Sequence, residues 1–330
     1  MTVCTALSVR TEDIAAIEAE WREFLPATSA NRVFAMPAWD RVWLDCLSHG
    51  AEPHLLSVRR EGKLVGLAPL MQRGGEITFL GSADVCDYLD FIVATGHEQE
   101  VFEAILEHLE GLPWRNMHLE SVPGDSPTIA QLLPLARKRG YLADCMDEDV
   151  CPRIDLPGDW EAYLTSLTKK DRHELRRKLR RLQADGEVRY YAVDNSDDLG
   201  PDLDDFLRLY RLGRTEKVGF LTPEREAFFR RMASAMAELD CLRLRFLEVD
   251  GKRVSSVICF DHAGTISLYN SGFDPAYQSL SVGLLLKAMC VREAIASGKK
   301  VFDFLRGSEP YKYDLGGRNL TLFTCHITRT

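Results

Sequence analysis

The segment Gln278–Gly283 lies between an apolar stretch with a strand pattern and another with helical spacing. The first stretch, Thr265–Phe273, predicts a strand, and the second, Val282–Ser297, predicts a helix. The first amides of a helix lack acceptors and lie at the positive end of its dipole, so a helix start beyond a strand can hold an anion. We therefore predict a diphosphate site in the backbone of Ser281–Leu284, with the Ser281 hydroxyl as the helix cap. The candidate residues are Gln278, Ser281, Val282, Gly283 and Leu284.

Polar side chains also follow the next predicted strand, Val301–Leu305. Asp303 falls within that apolar strand, where a carboxylate is unfavourable unless it is paired, so it is either a site residue or the partner of a neighbouring basic group. Arg306 either orients a substrate or holds Glu309. The Tyr311 hydroxyl can act as a general acid, or its ring can simply pack over the strand end. The remaining candidates are Lys312, for substrate binding, and Tyr313, as a second choice of proton donor.

A basic segment precedes this half of the chain. Eight of the thirteen residues of Lys169–Arg181 are Lys or Arg, and leucines recur among them at helical spacing. Thr168, with Asp171 three residues later, is typical of a helix start. We predict an amphipathic helix over 168–184. Its basic face is either a solvated surface or a docking site for an anionic acceptor or a phosphate.

Acidic residues occupy the corresponding place in the first half of the chain. Carboxylates there repel phosphates, so we expect only the second half to hold a nucleotide. Asp87, Tyr88 and Asp90 either bind a cationic amine or form a turn in which an aspartate accepts from its own backbone. The acidic residues of this region are Asp84, Asp87, Asp90, Glu98 and Glu100.

Length and composition narrow the class of protein. The chain has 330 residues, 45% of them apolar and 28% charged, which suits two ordinary globular domains. A net charge of −9 excludes general nucleic-acid coating. No apolar run approaches the roughly 18 residues of a membrane span, and no signal peptide is visible. The nine cysteines lack ligand spacing, so we expect free thiols, a cytoplasmic location and no metal.

The two halves share one order of elements. Each has helices, a strand meander with tight glycine turns, and then a helix and a strand, which indicates duplication. Asp250-Gly251 predicts one of the hairpins of the second meander. We predict a mixed α/β protein with domains at 1–156 and 157–330, the second one entered through the basic helix.

The second half resembles the GNAT acyltransferase fold in its order of elements. The phosphate loop of that family, Gln/Arg-x-x-Gly-x-Gly/Ala, is similar to Gln278–Gly283, with Ser281 in place of the first glycine. Nearly the whole chain also resembles the tandem-domain CelD/BcsL-type branch, relatives of the Fem-type aminoacyl transferases. The segments that carry this resemblance are Asp87–Phe91, Lys169–Lys178 and Phe302–Lys312.

The resemblance implies two tandem GNAT-like domains, the first one degenerate. It also implies transfer of an acyl group, acetyl in the first instance, from acyl-CoA to an amine or hydroxyl of a small-molecule or cell-envelope acceptor. Tyr311 would protonate the departing thiolate, Asp303 would have a direct role, and Glu216 or Glu309 would be the general base. Two alternatives stay open. One is an aminoacyl-tRNA-dependent transferase that uses the basic helix, and the other is a non-catalytic binding protein.

Overall fold

The structure, a computed structural model, describes residues 7–193, 199–213 and 219–329. The chain divides into two compact units, residues 1–150 with 320–330, and residues 151–319. The last residues therefore join the first unit, whereas the sequence division at 156/157 assigned them to the second domain. The reason is the final strand, Arg318–Thr328, which pairs with Asn116–Pro123.

The first unit combines helices with a mixed sheet. Its strands are β1 (Leu7–Thr11), β2 (Glu52–Arg60), β3 (Lys63–Arg73), β4 (Glu76–Phe79), β5 (Ile92–Val93), β6 (Asn116–Pro123), the first part of β7 (Leu142–Asp155) and β13 (Arg318–Thr328). Its helices are α1 (Ile14–Phe24), α2 (Pro37–Leu47), α3 (Glu98–Glu110) and α4 (Leu133–Lys138), with short 3₁₀ or π turns at Leu25–Ala27, Val33–Ala35 and Thr128–Leu132. The strand order is β1-β2-β3-β4-β6-β13. Of these neighbours, β4 and β6 are parallel.

The second unit also has a mixed sheet between helices. Its strands are the end of β7, β8 (Val188–Val193), β9 (Leu242–Val249), β10 (Lys252–His262), β11 (Thr265–Phe273) and β12 (Val301–Asp303). Its helices are α5 (Trp160–Ser166), α6 (Lys169–Ala184), α7 (Gly200–Gly213), α8 (Pro223–Glu238), α9 (Val282–Ala296) and α10 (Pro310–Asp314), with a 3₁₀ helix at Pro275–Leu280. The strand order is β7-β12-β11-β10-β9-β8. Here β11 and β12 are the parallel pair.

The two units repeat one arrangement, as the sequence predicted. In the first, the antiparallel meander β2-β3-β4 is followed by α3 and by β6 parallel to β4. In the second, β9-β10-β11 is followed by α9 and by β12 parallel to β11. Asp250 and Gly251 join β9 to β10 with φ angles of 50° and 74°, which is the left-handed geometry of the predicted hairpin turn. The mixed α/β fold class is confirmed.

Some elements differ from the sequence prediction. The strands β1, β7 and β13 were not predicted. The strand predicted over Val301–Leu305 ends at Asp303, because Leu305 has a φ of 58° that no strand accommodates. None of the helices that the structure describes is long and apolar enough to cross a membrane.

The helix α7 lies directly on β11. A Cβ atom added to Gly272 would lie 2.3 Å from the backbone nitrogen of Tyr210, so the two main chains touch with no side chain between them. A Cβ added to Gly213, the last residue of α7, would lie 3.6 Å from the backbone nitrogen of Phe273. The glycine at 272 therefore lets α7 approach the strand to backbone contact.

One carboxylate is buried in the first unit without a hydrogen-bond donor. Asp40, in the first turn of α2, is 3% exposed. Within the described residues, no group donates a hydrogen bond to it. Burial therefore raises the pKa of Asp40 well above its usual value.

We predict that Asp40→Asn stabilises the protein at pH 8 but not at pH 4. A carboxyl whose folded pKa is raised binds more protons in the native state, so its contribution to stability falls as the pH rises above the unfolded value of about 4. Thermal melting of wild type and variant at both pH values tests this. The matched control is Asp45→Asn, which changes an exposed residue of the same helix. Equal melting shifts at the two pH values would contradict the prediction.

Candidate active site

A cavity of about 340 Å³ opens in the second unit at the start of α9. This volume lies in the range typical of small-ligand sites. Its walls come from α6, the end of α7, the end of β11, the start of α9 and the segment before and within α10. The lining residues are Lys178, Gly213, Ser271, Phe273, Gln278, Ser281, Val282, Gly283, Leu284, Lys287, Glu309 and Tyr311.

All five residues of the predicted diphosphate site line this cavity, but Ser281 does so in an unpredicted way. Its φ and ψ are 59° and 32°, a left-handed conformation, and its hydroxyl makes no cap bond to the helix. The predicted side-chain cap is therefore wrong. Instead the backbone makes the turn, because the Ser281 amide donates to the Gln278 carbonyl at 3.0 Å and the Ser281 carbonyl accepts from the Leu285 amide at 3.0 Å.

Three amides remain at the start of α9. Those of Val282, Gly283 and Leu284 have no acceptor within the described part of the chain, whereas the Ser281 amide, predicted as a fourth, is already bonded. A Cβ on Gly283 would lie 3.1 Å from the Phe273 ring, so this glycine also lets the helix start pack closely on the end of β11. The result is a set of three donors at the positive end of a 15-residue helix.

The neighbouring strands β11 and β12 separate after three residue pairs, beside the cavity. Between β11 and β12, the register covers only Thr265–Ser267 and Val301–Asp303. Beyond that point the Phe304 amide donates to the Pro152 carbonyl at 2.9 Å, so the chain turns towards β7. The end of β11, with Ser271 and Phe273, is left to line the cavity.

Lys312 holds together the segment that follows β12. Its ammonium is 2% exposed and donates to the carbonyls of Leu305, Arg306 and Gly307 at 2.8, 2.6 and 3.0 Å. It also lies 2.9 Å from Glu309 Oε2. The structure thus directs Lys312, predicted to bind substrate, into the loop and not into the cavity.

Asp303 supports the same loop. It is 6% exposed, and its Oδ1 accepts from the Leu305 amide at 2.8 Å, at the residue whose φ is positive. The donor in this contact is a backbone amide and not the basic group that the sequence analysis considered, and a direct role for Asp303 stays a prediction. Neither Asp303 nor the Arg306 side chain is among the residues that line the cavity.

Tyr311 and Glu309 do reach the cavity. The Tyr311 ring packs edge-on against Phe304, with centroids 6.2 Å apart. The Lys287 ammonium also contacts this ring, at 4.8 Å from its centroid. The structure therefore brings a hydroxyl, a carboxylate and two cations, Lys178 and Lys287, to the wall that also carries the three amides.

The basic helix forms as predicted. The Thr168 hydroxyl accepts from the Asp171 amide at 3.2 Å. Part of its charge is balanced by acids, since Arg176 lies 2.6 Å from Glu161 and Arg177 lies 2.7 Å from Glu174. The cavity receives Lys178 from this helix, a specific position that the charge pattern alone did not single out.

The acidic residues of the first half lie in the first unit. Asp90 Oδ1 accepts from the hydroxyls of Thr128 and Ser126 at 2.7 and 2.8 Å. Burial outweighs these bonds and raises the pKa of Asp90 to about 6. Tyr88 is buried at 5% exposure, with the Arg32 guanidinium carbon 5.1 Å from its ring centroid, and Asp87 is partly buried.

The helix start of the first unit is occupied by its own carboxylates. Glu98 accepts from the Gly96 amide at 2.9 Å, and Glu100 contacts Arg60 and His97. The expectation that these carboxylates keep phosphate away from this helix start stays a prediction. Glu216, a candidate base, lies outside the described residues. Among the residues described, no group of three or more His, Cys, Asp or Glu could hold a metal ion.

Comparison with known proteins identifies the fold of this second unit. Residues 169–313 match the family model described as "Acetyltransferase (GNAT) domain". The second unit has the GNAT fold. All the residues that line the cavity fall within the matched range. No curated protein matches the sequence.

Solved structures extend the likeness to nearly the whole chain. FemX shows 12% identity and a TM-score of 0.66, with 96% of each chain covered. A conserved protein of unknown function from Bacteroides thetaiotaomicron shows 11% identity and a TM-score of 0.65, covering 98% of this chain and 100% of that one. The C-terminal domain of a putative lysylphosphatidylglycerol synthetase from Agrobacterium fabrum shows 13% identity and a TM-score of 0.60, covering 96% and 92%. At these identities the likeness is one of fold.

We predict that Ser281→Gly raises the free energy of unfolding by up to about 1 kcal/mol. The left-handed backbone at this position is unfavourable for serine and free of steric penalty for glycine. Urea unfolding measures the change. Ser279→Gly is the matched control: this exposed residue of the neighbouring 3₁₀ helix has no positive φ, so the control should lose stability. A loss in both variants would contradict the prediction.

We predict that Lys312→Met destabilises the protein by about 3–5 kcal/mol, because it leaves three loop carbonyls and a carboxylate without their buried cation. Urea unfolding measures this as well. Lys300→Met deletes an exposed ammonium and should change stability by less than about 0.5 kcal/mol. Equal effects of the two substitutions would show that Lys312 does not hold the loop.

Proposed function

We propose that the chain is an acyltransferase that moves an acyl group, acetyl in the simplest case, from acyl-CoA to an amine or hydroxyl. The observation that carries the proposal is the set of three acceptor-free amides at the start of α9, which belong to residues that line a cavity together with Tyr311. Backbone donors at a helix start suit the diphosphate of coenzyme A. The match to a GNAT domain over residues 169–313 supports the same reaction class.

In this proposal the amides of Val282, Gly283 and Leu284 hold the diphosphate, and the thioester extends towards Tyr311. The acceptor nitrogen or oxygen attacks the thioester carbonyl carbon, and the carbon–sulfur bond breaks. Tyr311 gives its hydroxyl proton to the departing thiolate. Glu309, on the cavity wall, or Glu216 takes the proton that the acceptor loses.

Two effects would supply the acceleration. Holding the acyl donor and the acceptor together is worth roughly 7–11 kcal/mol in favourable cases. Proton donation by a positioned hydroxyl contributes about 10²–10⁴-fold. The fixed Phe304 and Lys287 contacts of the Tyr311 ring serve this second effect, because an immobile donor loses no entropy when the thiolate forms.

As the acceptor we propose a small molecule or a component of the cell envelope that carries an amine or a hydroxyl. Lys178 and Lys287 on the cavity wall favour an acceptor with an anionic group near the reacting atom. The role of Asp87, Tyr88 and Asp90 of the first unit in binding a cationic amine stays a prediction from the sequence.

We predict that wild-type protein binds acetyl-CoA and releases CoA thiol with an acceptor from a panel of amines and hydroxyl compounds. Tyr311→Phe should lower the rate of thiol release by about 10²–10⁴-fold with little change in acetyl-CoA affinity. Calorimetry and a thiol-release assay measure the two quantities. Tyr313→Phe is the control, since this tyrosine is 37% exposed and donates to Asn319. Absence of binding at millimolar acetyl-CoA would refute the proposal, and a fully active Tyr311→Phe would remove Tyr311 from it.

A second candidate is an aminoacyl-tRNA-dependent transferase. The fold similarity to FemX and the exposed basic helix α6 favour it. This function requires contacts between the α6 cations and RNA phosphates, so binding would weaken steeply with salt. Filter binding of aminoacyl-tRNA at two salt concentrations, compared with acetyl-CoA calorimetry, separates the two candidates.

A further inference from the structure

Lys287 places a buried ammonium beside Tyr311. The side chain starts one turn into α9 and is 6% exposed, yet it lines the cavity. Its Nζ donates to the Gly283 carbonyl at 3.1 Å and lies 4.8 Å from the centroid of the Tyr311 ring. One side chain therefore contacts both the amide-bearing helix start and the proposed proton donor.

The charged residues around Lys287 come from neighbouring elements. Lys178 of α6 and Glu309 before α10 line the same cavity, and Lys312 of α10 contacts Glu309. The ammonium of Lys312 lies 2.9 Å from the Glu309 carboxylate and donates to three loop carbonyls, so its charge is balanced within the loop. Lys178 and Lys287 both line the cavity, and Lys287 is the one whose ammonium lies 4.8 Å from the centroid of the Tyr311 ring.

A buried ammonium stabilises negative charge near it more strongly than an exposed one, because less water screens the interaction. A cation within about 6 Å of an aromatic ring also attracts the electron-rich face of that ring. When a tyrosine gives up its proton, negative charge spreads from the oxygen into the ring that Lys287 contacts. In the proposed reaction the sulfur also acquires negative charge as the thioester is cleaved beside Tyr311. Lys287 favours both changes.

We infer that Lys287 is a positioning residue for Tyr311 and lowers the energy of the thiolate that leaves the acyl group. The inference rests on the proposed transferase function. In the step concerned, the acceptor forms its bond to the carbonyl carbon, the carbon–sulfur bond breaks with its electron pair on sulfur, and the Tyr311 proton passes to sulfur. Lys287 keeps its proton throughout, and the acceptor's own proton restores the tyrosine through the general base or water.

The experiment uses free CoA, the product, so that no acceptor has to be known. Ionisation of the bound thiol is followed by the ultraviolet absorbance of the thiolate as the pH is raised. A parallel titration with desulfo-CoA, which lacks the thiol, removes the contribution of tyrosines. The proteins compared are wild type, Lys287→Gln, Lys287→Met and Lys287→Arg, each first checked for thermal melting and for CoA affinity.

We expect the bound thiol to ionise at least about one pH unit lower in wild type and Lys287→Arg than in Lys287→Gln, which is a tenfold change in its acid constant. Lys287→Gln should also lower the rate of thiol release from acetyl-CoA by about tenfold or more. In a Tyr311→Phe background the same substitution should have a smaller effect on that rate, because the two residues act as one unit. If Lys287 had only a structural role, its substitution would lower the rate of thiol release by the same factor in both backgrounds.

The outcomes separate the two claims. If wild type binds CoA but its thiol ionises at the same pH in all four proteins, the inference about Lys287 is overturned and the transferase stands. If Lys287→Gln weakens only the binding of CoA, Lys287 is a binding residue and the inference is again overturned. Lys287→Met gives the same comparison if the glutamine variant does not fold. If wild type binds no CoA, the proposed function is refuted, and the inference about Lys287 is refuted as well.

Discussion

The candidate site depends on one buried ammonium. Lys312 collects three consecutive carbonyls and the Glu309 carboxylate, and so gives a loop without regular hydrogen bonding a single conformation. Asp303 completes the arrangement by accepting from the amide of Leu305. A charge at 2% exposure is tolerated because every one of its protons has an acceptor. Glu309 and Tyr311 owe their place on the cavity wall to a residue that does not line it.

A second constraint acts through the backbone at the start of α9. The left-handed turn at Ser281 directs the chain from a 3₁₀ helix into an α-helix and leaves three amides without acceptors at residues that line the cavity. A family pattern with glycine at this position has a physical reason here, since glycine adopts this φ without steric strain. Serine adopts the same φ here despite the steric strain, and its hydroxyl does not make the expected cap bond. At the predicted anion site, the backbone conformation and not the serine side chain therefore leaves the three amides without acceptors.

Much of this was accessible from the sequence. Alternation and helical spacing predicted the meanders and α9, and Asp250-Gly251 predicted its hairpin, because these signals are local. The five residues of the predicted diphosphate site, with Tyr311 and Glu309, do line one cavity. The sequence did not predict the strands β1, β7 and β13. Their pairing partners are distant in the sequence, or the strands themselves are only weakly apolar. The role of Lys312 was missed because a lysine in a polar segment carries no sign that it is buried. Its burial depends on a positive φ at Leu305, seven residues away.

The contact of α7 with β11 has a consequence for how this protein can diverge. Because Gly272 lets two main chains touch, the distance between α7 and β11 is set by backbone thickness. Side-chain changes elsewhere on α7 can alter the polarity beside the cavity, but they cannot bring this helix closer to the strand. A wider spacing requires a larger residue at position 272. In relatives of this fold, a side chain at this position should therefore go together with a displaced α7 and a differently shaped cavity.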